Sequence, residues 1–382
     1  MTGGKPPSDT DDLLTTAQRG RRPHAGTPHR IGERYEVLEE LGRGGMAAVY
    51  RVRDAGSDCE VALKQLTISR QSSRTAEITA LFQREFHTLA QLSHPSVIEV
   101  YDYGVDAQGP YYTMELLDGG DLTQHAPLHY VRACELLLQV CSSLSLLHSR
   151  RWVHRDVTPR NVRSTASGNA KLIDFGAMVP LGARVTAIGT PAFIAPEVLR
   201  ELPLDARTDL FSLGATLYYA LTGQPAWAAR SFKELPEAWS SEPLPPSASV
   251  PEIPEALDAL VLSLLRIDPA SRPRSAFEVM QRLAAIAGVF EVEPIHVSQA
   301  YLSAPTLVGR TAELQQCRAH LERALCGRGG GLLFEGAPGV GRSRLLDACV
   351  LEAKTLGVTV LRIAGRATAS AAFSGVHALV RE

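Results

Sequence analysis

Hydrophobic and polar residues alternate in the first part of the chain and then change to a helical period. The segment 35–54 alternates on both sides of a glycine-rich centre, which predicts a strand, a turn and a second strand. Strands are also predicted at 60–66 and within 110–120, and residues 75–92 carry apolar side chains at helical spacing. Further helices are predicted at 131–149, 209–222, 255–266 and 275–287.

A β-rich part followed by a helical part predicts an α+β fold of two lobes with a cleft between them, which we assign to residues 33–287. Residues 1–32 are rich in Gly, Pro, Thr, Asp and Arg and predict a disordered arm. Residues 288–306 lack strong periodicity and predict a linker. A second block over 307–382 starts with a predicted helix, a glycine turn and a strand "LLFEG".

Composition adds limits on location and partners. The chain of 382 residues is 45% hydrophobic, and its net charge of −2 gives no reason to expect nucleic acid or an anionic membrane as a partner. None of the six cysteines forms a C-x-x-C pair, so we expect reduced, mostly buried thiols. No secretory signal is visible, and the most apolar stretch, 210–223, is too short to span a bilayer. These features favour a cytoplasmic protein.

Lysine is scarce. Only five of the 39 Lys and Arg residues are lysines, so a lysine that persists suggests a specific role. Lys64 lies in the predicted strand "EVALKQL", and phosphoryl transfer needs a cation at the α/β-phosphates that a carboxylate holds in place. Glu85, in the middle of the following helix, is the preferred partner, and Glu77 is its competitor.

The glycine-rich centre "LGRGGMAAV" is a candidate phosphate-binding hairpin. Gly42, Gly44 and Val49 fit the spacing G-x-G-x-x-G-x-V, with Ala47 in place of the third glycine. Glycines let such a hairpin fold closely over phosphates and present backbone N–H groups to them.

Two later motifs are candidates for the chemical step. "HRDVTPRN" supplies Asp156 and Asn161, and "DFG" supplies Asp174. Asp156 would accept the proton of the attacking hydroxyl, and Asn161 and Asp174 would hold Mg²⁺, which prefers hard oxygen ligands.

These motifs, in this order, resemble the eukaryotic-type protein kinase superfamily in its bacterial Ser/Thr branch, over roughly residues 35–287. The resemblance implies that Asp209 braces the catalytic loop and that Arg272 pairs with Glu197 of "APE". It also implies ATP as cosubstrate, an adenine hinge that follows a gatekeeper methionine, and ribose contact near Asp121. The residues that it places at ATP are Leu41, Gly42, Arg43, Gly44, Gly45, Val49, Ala62, Lys64, Met114, Glu115, Leu117 and Asp121.

One residue departs from the family pattern. Thr158 stands where Ser/Thr kinases carry a lysine that contacts the γ-phosphate. Receptor tyrosine kinases lack that lysine too and place an arginine two residues later, the position of Arg160 here. Losing one charge contact costs on the order of 2–4 kcal/mol, which slows an enzyme without abolishing its activity. We therefore expect an active kinase.

Two features bear on specificity and regulation. Arg160 favours tyrosine as the acceptor, whereas Thr190 in "GTPAFIAPE" favours serine and threonine, and we choose the latter. Thr186 is the plausible regulatory phosphosite, with Arg155 as the cation that would receive its phosphate. A segment that is ordered without phosphate is an equal alternative.

The second block carries "GAPGVGRS", which fits a phosphate loop through Gly336, Gly341, Arg342 and Ser343, with arginine at the usual lysine position. With "LVGRTAEL" it resembles the start of an AAA-type ATPase module. Arginine at this position commonly harms nucleotide hydrolysis, because a broad guanidinium fits less well between phosphates than an ammonium. The ending "SGVHALVRE" has no terminal signature, which is compatible with a fragment of a longer protein.

We therefore predict a cytoplasmic Ser/Thr protein kinase that uses ATP and Mg²⁺ on protein substrates, with a kinase-domain dimer as a possible assembly. The first alternative is a pseudokinase scaffold that binds nucleotide and regulates the attached ATPase-like module. A small-molecule phosphotransferase is a second alternative, and "GTPAFIAPE", a peptide-substrate platform in protein kinases, argues against it.

Overall fold

The computed structural model describes residues 30–44, 46–67, 75–289, 309–337, 339–358 and 360–361. They fall into two compact units. Unit 1 comprises Met1–Ala90, Val100–Leu116 and Thr306–Glu382, and unit 2 comprises Gln91–Glu99 and Leu117–Pro305, each only as far as it is described. The predicted arm and linker lie almost entirely outside the described residues. The arm ends earlier than predicted, because Arg30–Ile31 already forms a strand and Ile31 is fully buried.

Unit 1 contains an antiparallel sheet of six strands in the order β1-β2-β3-β4-β6-β5. Alternating apolar positions and the tight β2–β3 hairpin explain why the chain forms it. The strands are β1 Arg30–Ile31, β2 Tyr35–Arg43, β3 Ala47–Asp54, β4 Glu60–Leu66, β5 Val100–Val105 and β6 Pro110–Met114. Strands β3 and β4 lie at the centre of the sheet. On β4, Lys64 lies opposite Val49 of β3 and Tyr112 of β6.

Helix α1, Thr75–Ala90, packs against this sheet through its apolar face. Phe82 and Phe86 of the helix form one buried cluster with Leu66, Tyr103 and Tyr112 of the strands. The aromatic rings of Phe86 and Tyr103 are 5.3 Å apart. Each such aromatic contact stabilises the packing by about 0.5–1.5 kcal/mol beyond the burial of area.

The rest of unit 1 is a pair of helices, α9 Thr311–Leu325 and α10 Arg342–Thr355, numbered after the helices of unit 2. They pack through Cys317, Leu345 and Cys349. The predicted strand "LLFEG" is wrong, since no strand occurs among the described residues after 309 and Leu333 is 80% exposed. An isolated strand leaves its backbone groups unpaired, and the described part of this block offers it no neighbouring strand.

Unit 2 is mainly helical. Its helices are α2 Leu122–His125, α3 Tyr130–Ser149, α4 Pro196–Leu199, α5 Ala206–Thr222, α6 Leu235–Ala238, α7 Glu255–Leu264 and α8 Ala276–Ala287. Two short antiparallel pairs accompany them: β7 Trp152–Val153 with β10 Val179–Pro180, and β8 Val162–Ser164 with β9 Ala170–Leu172. Both pairs flank the segments that carry the candidate catalytic residues.

Local sequence sets the ends of the central helices. Asp205 begins α5 by accepting a hydrogen bond from the backbone N–H of Arg207, and Gly223 ends it at φ 72°, a left-handed conformation that favours glycine. Helix α3 has the length and hydropathy of a membrane span, yet 67% of its most apolar window is buried within the protein. It is the core helix of unit 2.

Candidate active site

The candidate site in unit 1 centres on an ion pair between strand β4 and helix α1. Lys64 Nζ lies 2.8 Å from Glu85 Oε1, and the side chains of Lys64 and Glu85 are only 15% and 4% exposed. Glu85 is thus the partner that the sequence favoured over Glu77. Burial strengthens the Coulomb attraction between the two charges, and the pair therefore fixes the position of the Lys64 ammonium.

A tyrosine that sequence analysis missed completes this pair. The hydroxyl of Tyr112 on β6 donates a hydrogen bond of 3.0 Å to the same oxygen, Glu85 Oε1. Tyr112 is 1% exposed, so its O–H needs a partner within the protein. Only the register of β4 and β6, which places Tyr112 opposite Lys64, brings the three groups together.

The glycine-rich hairpin is formed by β2 and β3. The N–H of Gly44 donates to the carbonyl of Ala47 at 2.8 Å, which closes the tip. A Cβ added at Gly42 would meet no atom within 4 Å, so the face of the hairpin at this glycine is open. Leu41 and Arg43 are exposed, Val49 is partly buried, and Gly45 lies outside the described residues.

The predicted adenine and ribose residues are divided between the two units. In unit 1, Met114 ends β6 opposite buried Ala62 of β4, and Glu115 follows it. In unit 2, buried Leu117 accepts a hydrogen bond of 3.3 Å from Arg163, and Asp121 caps helix α2. Asp121 therefore already accepts hydrogen bonds from Thr123.

In unit 2, Asp156 and Asn161 lie on a loop between β7 and β8. Asn161 Nδ2 donates to Asp156 Oδ2 at 2.7 Å and to the backbone carbonyl of Asp156 at 2.9 Å. The loop can hold both side chains because Pro159–Asn161 forms a single 3₁₀ turn. Burial, and then the negative charge of Asp174, raise the pKa of Asp156 to about 6.

Asp209 at the start of α5 braces this loop. Its carboxylate accepts hydrogen bonds of 2.8 Å from the backbone N–H groups of His154 and Arg155. His148 also lies 2.8 Å from Asp209 Oδ2, a contact that sequence analysis missed. Burial would raise the pKa of Asp209, but the hydrogen bonds and charges of His148 and His154 together outweigh it and lower that pKa. The brace is therefore a carboxylate.

Asp174 lies beyond β9 in a left-handed conformation at φ 61°, and its carboxylate is exposed. Its backbone neighbour Ile173 donates to the carbonyl of Asn161 at 2.9 Å, which ties the two candidate metal ligands together. The amide nitrogen of Asn161 is committed to Asp156, so its side-chain oxygen is left for a cation. An exposed carboxylate and an amide oxygen suit Mg²⁺.

Thr158, in the place of the family's lysine, is buried, and its carbonyl accepts from the N–H of Asn161 at 3.0 Å. Arg160 is exposed on the same turn, and within the described chain no hydrogen bond or ion pair is formed by its guanidinium.

The side chain of Arg155 contacts the activation segment through two backbone carbonyls. Arg155 donates to the backbone carbonyls of Ala177 and Thr186, at 3.3 and 3.0 Å. Thr186 and Thr190 are exposed, and no hydrogen bond joins Thr190 to Asp156 within the described chain. The residue beside Asp156 is instead Gly189, where an added Cβ would lie 3.6 Å from Asp156 Oδ1.

The end of that segment is fixed by the predicted pair of Glu197 and Arg272. The two side chains form hydrogen bonds of 2.7 and 2.9 Å, and both residues are buried. The guanidinium also donates to the carbonyls of Arg207 and Ile267 and lies over the ring of Phe211. Its charge is therefore fully paired.

The second phosphate-loop sequence is placed at the start of α10. Gly341, at φ 90°, precedes the helix, and Arg342 and Ser343 are its exposed first residues. Gly336 lies close to Val340, where a Cβ would be 2.8 Å from the Val340 side chain. The helix that the motif requires is present, and the preceding strand is not.

Comparisons with known proteins agree with the kinase motifs. The family model described as protein kinase domain matches residues 35–283. A probable serine/threonine-protein kinase of Streptomyces coelicolor is 37% identical over 272 residues, which are 66% of this chain and 40% of the relative. Serine/threonine-protein kinase PknB of Mycobacterium tuberculosis is 35% identical over 277 residues, 68% of this chain and 44% of PknB. The chain thus spans less than half the length of these curated relatives.

Proposed function

Because this chain belongs to the protein kinase family, we propose that it transfers the γ-phosphate of ATP to serine and threonine hydroxyls of protein substrates. The observation that carries this proposal is the loop in which Asp156, hydrogen-bonded to Asn161 and braced through Asp209, has a raised pKa of about 6. Lys64, held by Glu85, supplies the cation that the α/β-phosphates need.

The proton of the attacking hydroxyl goes to Asp156. With a pKa of about 6, its carboxylate is mostly ionised at neutral pH and is a stronger base than an ordinary aspartate. The hydrogen bond from Asn161 directs one carboxylate oxygen, which leaves the other for the substrate hydroxyl. Asp156 orients the nucleophile, and in phosphoryl transfer such positioning contributes much of the catalysis.

Asp174 and Asn161 would hold Mg²⁺, which when bound neutralises the charge of the β- and γ-phosphates. The negative charge of Asp174 is one of the causes that raise the pKa of Asp156. A cation at Asp174 would offset that charge. Arg160 is placed on the exposed side of the same turn and would give the γ-phosphate the charge contact that Thr158 lacks.

Serine and threonine as acceptors are supported by the two relatives, which are both described as serine/threonine-protein kinases. The pseudokinase alternative rests on Thr158. Arg160 on the same turn weakens it, because its exposed guanidinium would supply the charge that Thr158 lacks. A cytoplasmic location, the absence of nucleic-acid and membrane partners, and a kinase-domain dimer stay predictions from sequence.

We propose for residues 307–382 that the block is the start of an AAA-type ATPase module. The support is the loop "GAPGVGRS" followed directly by helix α10, with glycine at the left-handed position before it. A double variant, Lys64→Met with Asp174→Asn, weakens nucleotide binding at the kinase site. Titration of this variant with ATP therefore tests whether a second nucleotide site exists. Binding that Gly341→Val then removes would support the module.

The direct test is autophosphorylation of the full chain with Mg·ATP, with sites mapped by mass spectrometry and Asp156→Asn as the control. Phosphoserine or phosphothreonine that disappears in the control is the expected result. Phosphotyrosine would show that Arg160 sets the acceptor. Tight ATP binding without phosphate transfer to itself or to a generic protein substrate would favour the scaffold alternative.

A further inference from the structure

Helix α10 of the appended block rests on the kinase part of unit 1. Its Leu351 packs against the buried cluster that contains Phe82 and Phe86 of α1 and Tyr112 of β6. In that cluster the aromatic side chains are already almost fully buried, at 1–6% exposure. Leu351 therefore covers part of this aromatic cluster, together with Ile78, Val100 and Met114.

Polar contacts fix the same helix in register. Lys354 Nζ donates to the backbone carbonyl of Tyr101 and to Asp102 Oδ1, both at 2.8 Å. Gln83 of α1 donates to the carbonyl of Thr355 at 3.5 Å. The first contact uses one of the five lysines of an arginine-rich chain, and a compact ammonium suits a site with a carbonyl and a carboxylate side by side.

The contact leads directly to the catalytic ion pair. Phe82 and Phe86 flank Glu85 on α1, and the centres of their rings are 5.0 and 5.8 Å from that of Tyr112. The hydroxyl of Tyr112 donates to the Glu85 oxygen that holds Lys64. The cluster that Leu351 contacts thus includes Tyr112, whose hydroxyl supports the position of Glu85.

We propose that the α9–α10 pair is an intramolecular docking element that holds helix α1 in the position in which Glu85 binds Lys64. Its partner is the surface of α1 and β5 that Gln83, Tyr101 and Asp102 present. The consequence for phosphoryl transfer rests on the proposed kinase function, but the docking itself does not. Any event that removes α10 from this surface weakens the ion pair.

Hydrogen exchange of the full chain tests the docking. Leu351→Asp places a charge against the aromatic cluster and is expected to speed exchange about tenfold in both 342–355 and 75–90. Leu346→Asp is the matched control, because Leu346 lies in the same helix and is 48% exposed. It should leave 75–90 unchanged. Unchanged exchange of α1 in Leu351→Asp, with α10 released, would overturn the proposal.

A milder variant distinguishes loss of docking from general misfolding. Lys354→Ala removes the two polar contacts with little change in packing, and it should speed exchange in 75–90 by about threefold, with α3 and α5 of unit 2 unaffected. Loss of protection in unit 2 would instead report general unfolding and count against a local role. Protection of 75–90 that falls on dilution would assign the contact to a second copy and overturn the intramolecular arrangement.

Activity is measured on the same samples. Leu351→Asp should lower the rate of phosphate transfer about tenfold, while Leu346→Asp keeps the wild-type rate. A normal rate in Leu351→Asp despite released α1 would overturn the link to the ion pair. A wild-type chain without activity would refute the proposed function alone, since the exchange data still decide whether α10 docks.

Discussion

Three side chains, those of Lys64, Glu85 and Tyr112, fix the position of the Lys64 ammonium in unit 1. Lys64 and Glu85 are predictable from sequence because each belongs to a motif with a fixed place on a strand or helix. Tyr112 is not, because its hydroxyl meets Glu85 Oε1 only through the pairing of β4 with β6. Tyr112 adds a neutral hydrogen-bond donor to the ion pair and restricts the orientation of the Glu85 carboxylate.

Tyr112→Phe should therefore lower kcat/KM for phosphate transfer. The hydrogen bond goes to a charged acceptor, for which losses of about 1.5–3 kcal/mol are typical, so a decrease of roughly 10- to 100-fold is expected if the position of Glu85 depends on it. Tyr111→Phe is the control, because Tyr111 belongs to a different cluster, with Tyr35 and Leu63. Equal effects of the two variants would contradict the role of the Tyr112 hydroxyl.

The pH dependence of the reaction should report Asp156. Its pKa is raised to about 6, so kcat/KM is expected to fall as pH decreases through about 6, where the carboxylate becomes protonated. The same pKa shift affects stability in the opposite direction, since the free energy of unfolding increases as pH decreases. The folded state binds the proton more tightly than the unfolded state, so this group favours folding more as pH falls from about 6 to below its ordinary pKa of 3.8.

A pH–rate profile between 5 and 8, with ATP binding measured separately at each pH, checks the first expectation. Flat kcat/KM down to about pH 5 would show that Asp156 keeps an ordinary pKa in the free enzyme. Asp174→Asn should lower the pKa of Asp156 when carbon NMR follows its carboxyl group, since the charge of Asp174 contributes to the rise.

At the scale of elements, the end of the activation segment depends on one buried pair. Glu197 and Arg272 connect α4 with the 3₁₀ turn Pro269–Ser271, whereas Glu242 and Arg266 form a comparable pair at the surface, 82% and 53% exposed. The guanidinium of Arg272 has five polar contacts within unit 2. Removal of its carboxylate partner would leave the guanidinium buried with only neutral carbonyl acceptors and no opposite charge.

Glu197→Gln is expected to destabilise the protein by about 3–5 kcal/mol, because the charge of Arg272 stays buried. Glu242→Gln removes a surface pair and should cost less than about 1 kcal/mol. Urea denaturation followed through the tryptophans compares them directly. A similar loss of stability in both variants would mean that burial does not increase the contribution of the Glu197–Arg272 pair to the free energy of unfolding.

For the whole molecule, the six cysteines give a simple test of the fold. Cys59 and Cys326 are exposed, and the other four are buried. Burial raises the pKa of Cys134 and of Cys349 to about 12, which further slows their reaction. A thiol reagent should therefore modify two groups quickly in the native chain and all six in denaturant. Four fast thiols would indicate that α9 and α10 do not pack as described.

Much of the kinase part follows from local sequence. Strands β2, β3, β4 and β6, the main helices and the pair Lys64–Glu85 were predicted, because each pattern or motif fixes its residue's place on an element, and the family resemblance implied the pair Glu197–Arg272. The short strands β1 and β7 to β10 were not predicted. His148 and Tyr112 were missed because a single polar residue on an apolar element has no spacing pattern of its own. The strand predicted within 332–336 is wrong because apolar sequence alone cannot provide a neighbouring strand.

Arg155 and Asp174 both have left-handed backbone conformations, at φ 71° and 61°, that glycine adopts freely. Such conformations cost a residue with a side chain about 1–2 kcal/mol each. Selection of this protein for heat resistance alone would therefore favour glycine at Asp174, whereas hydrogen bonds to Ala177 and Thr186 favour keeping Arg155. The selected variants would be more stable but would lack a candidate metal ligand. Directed evolution for stability must therefore also measure phosphate transfer in every round.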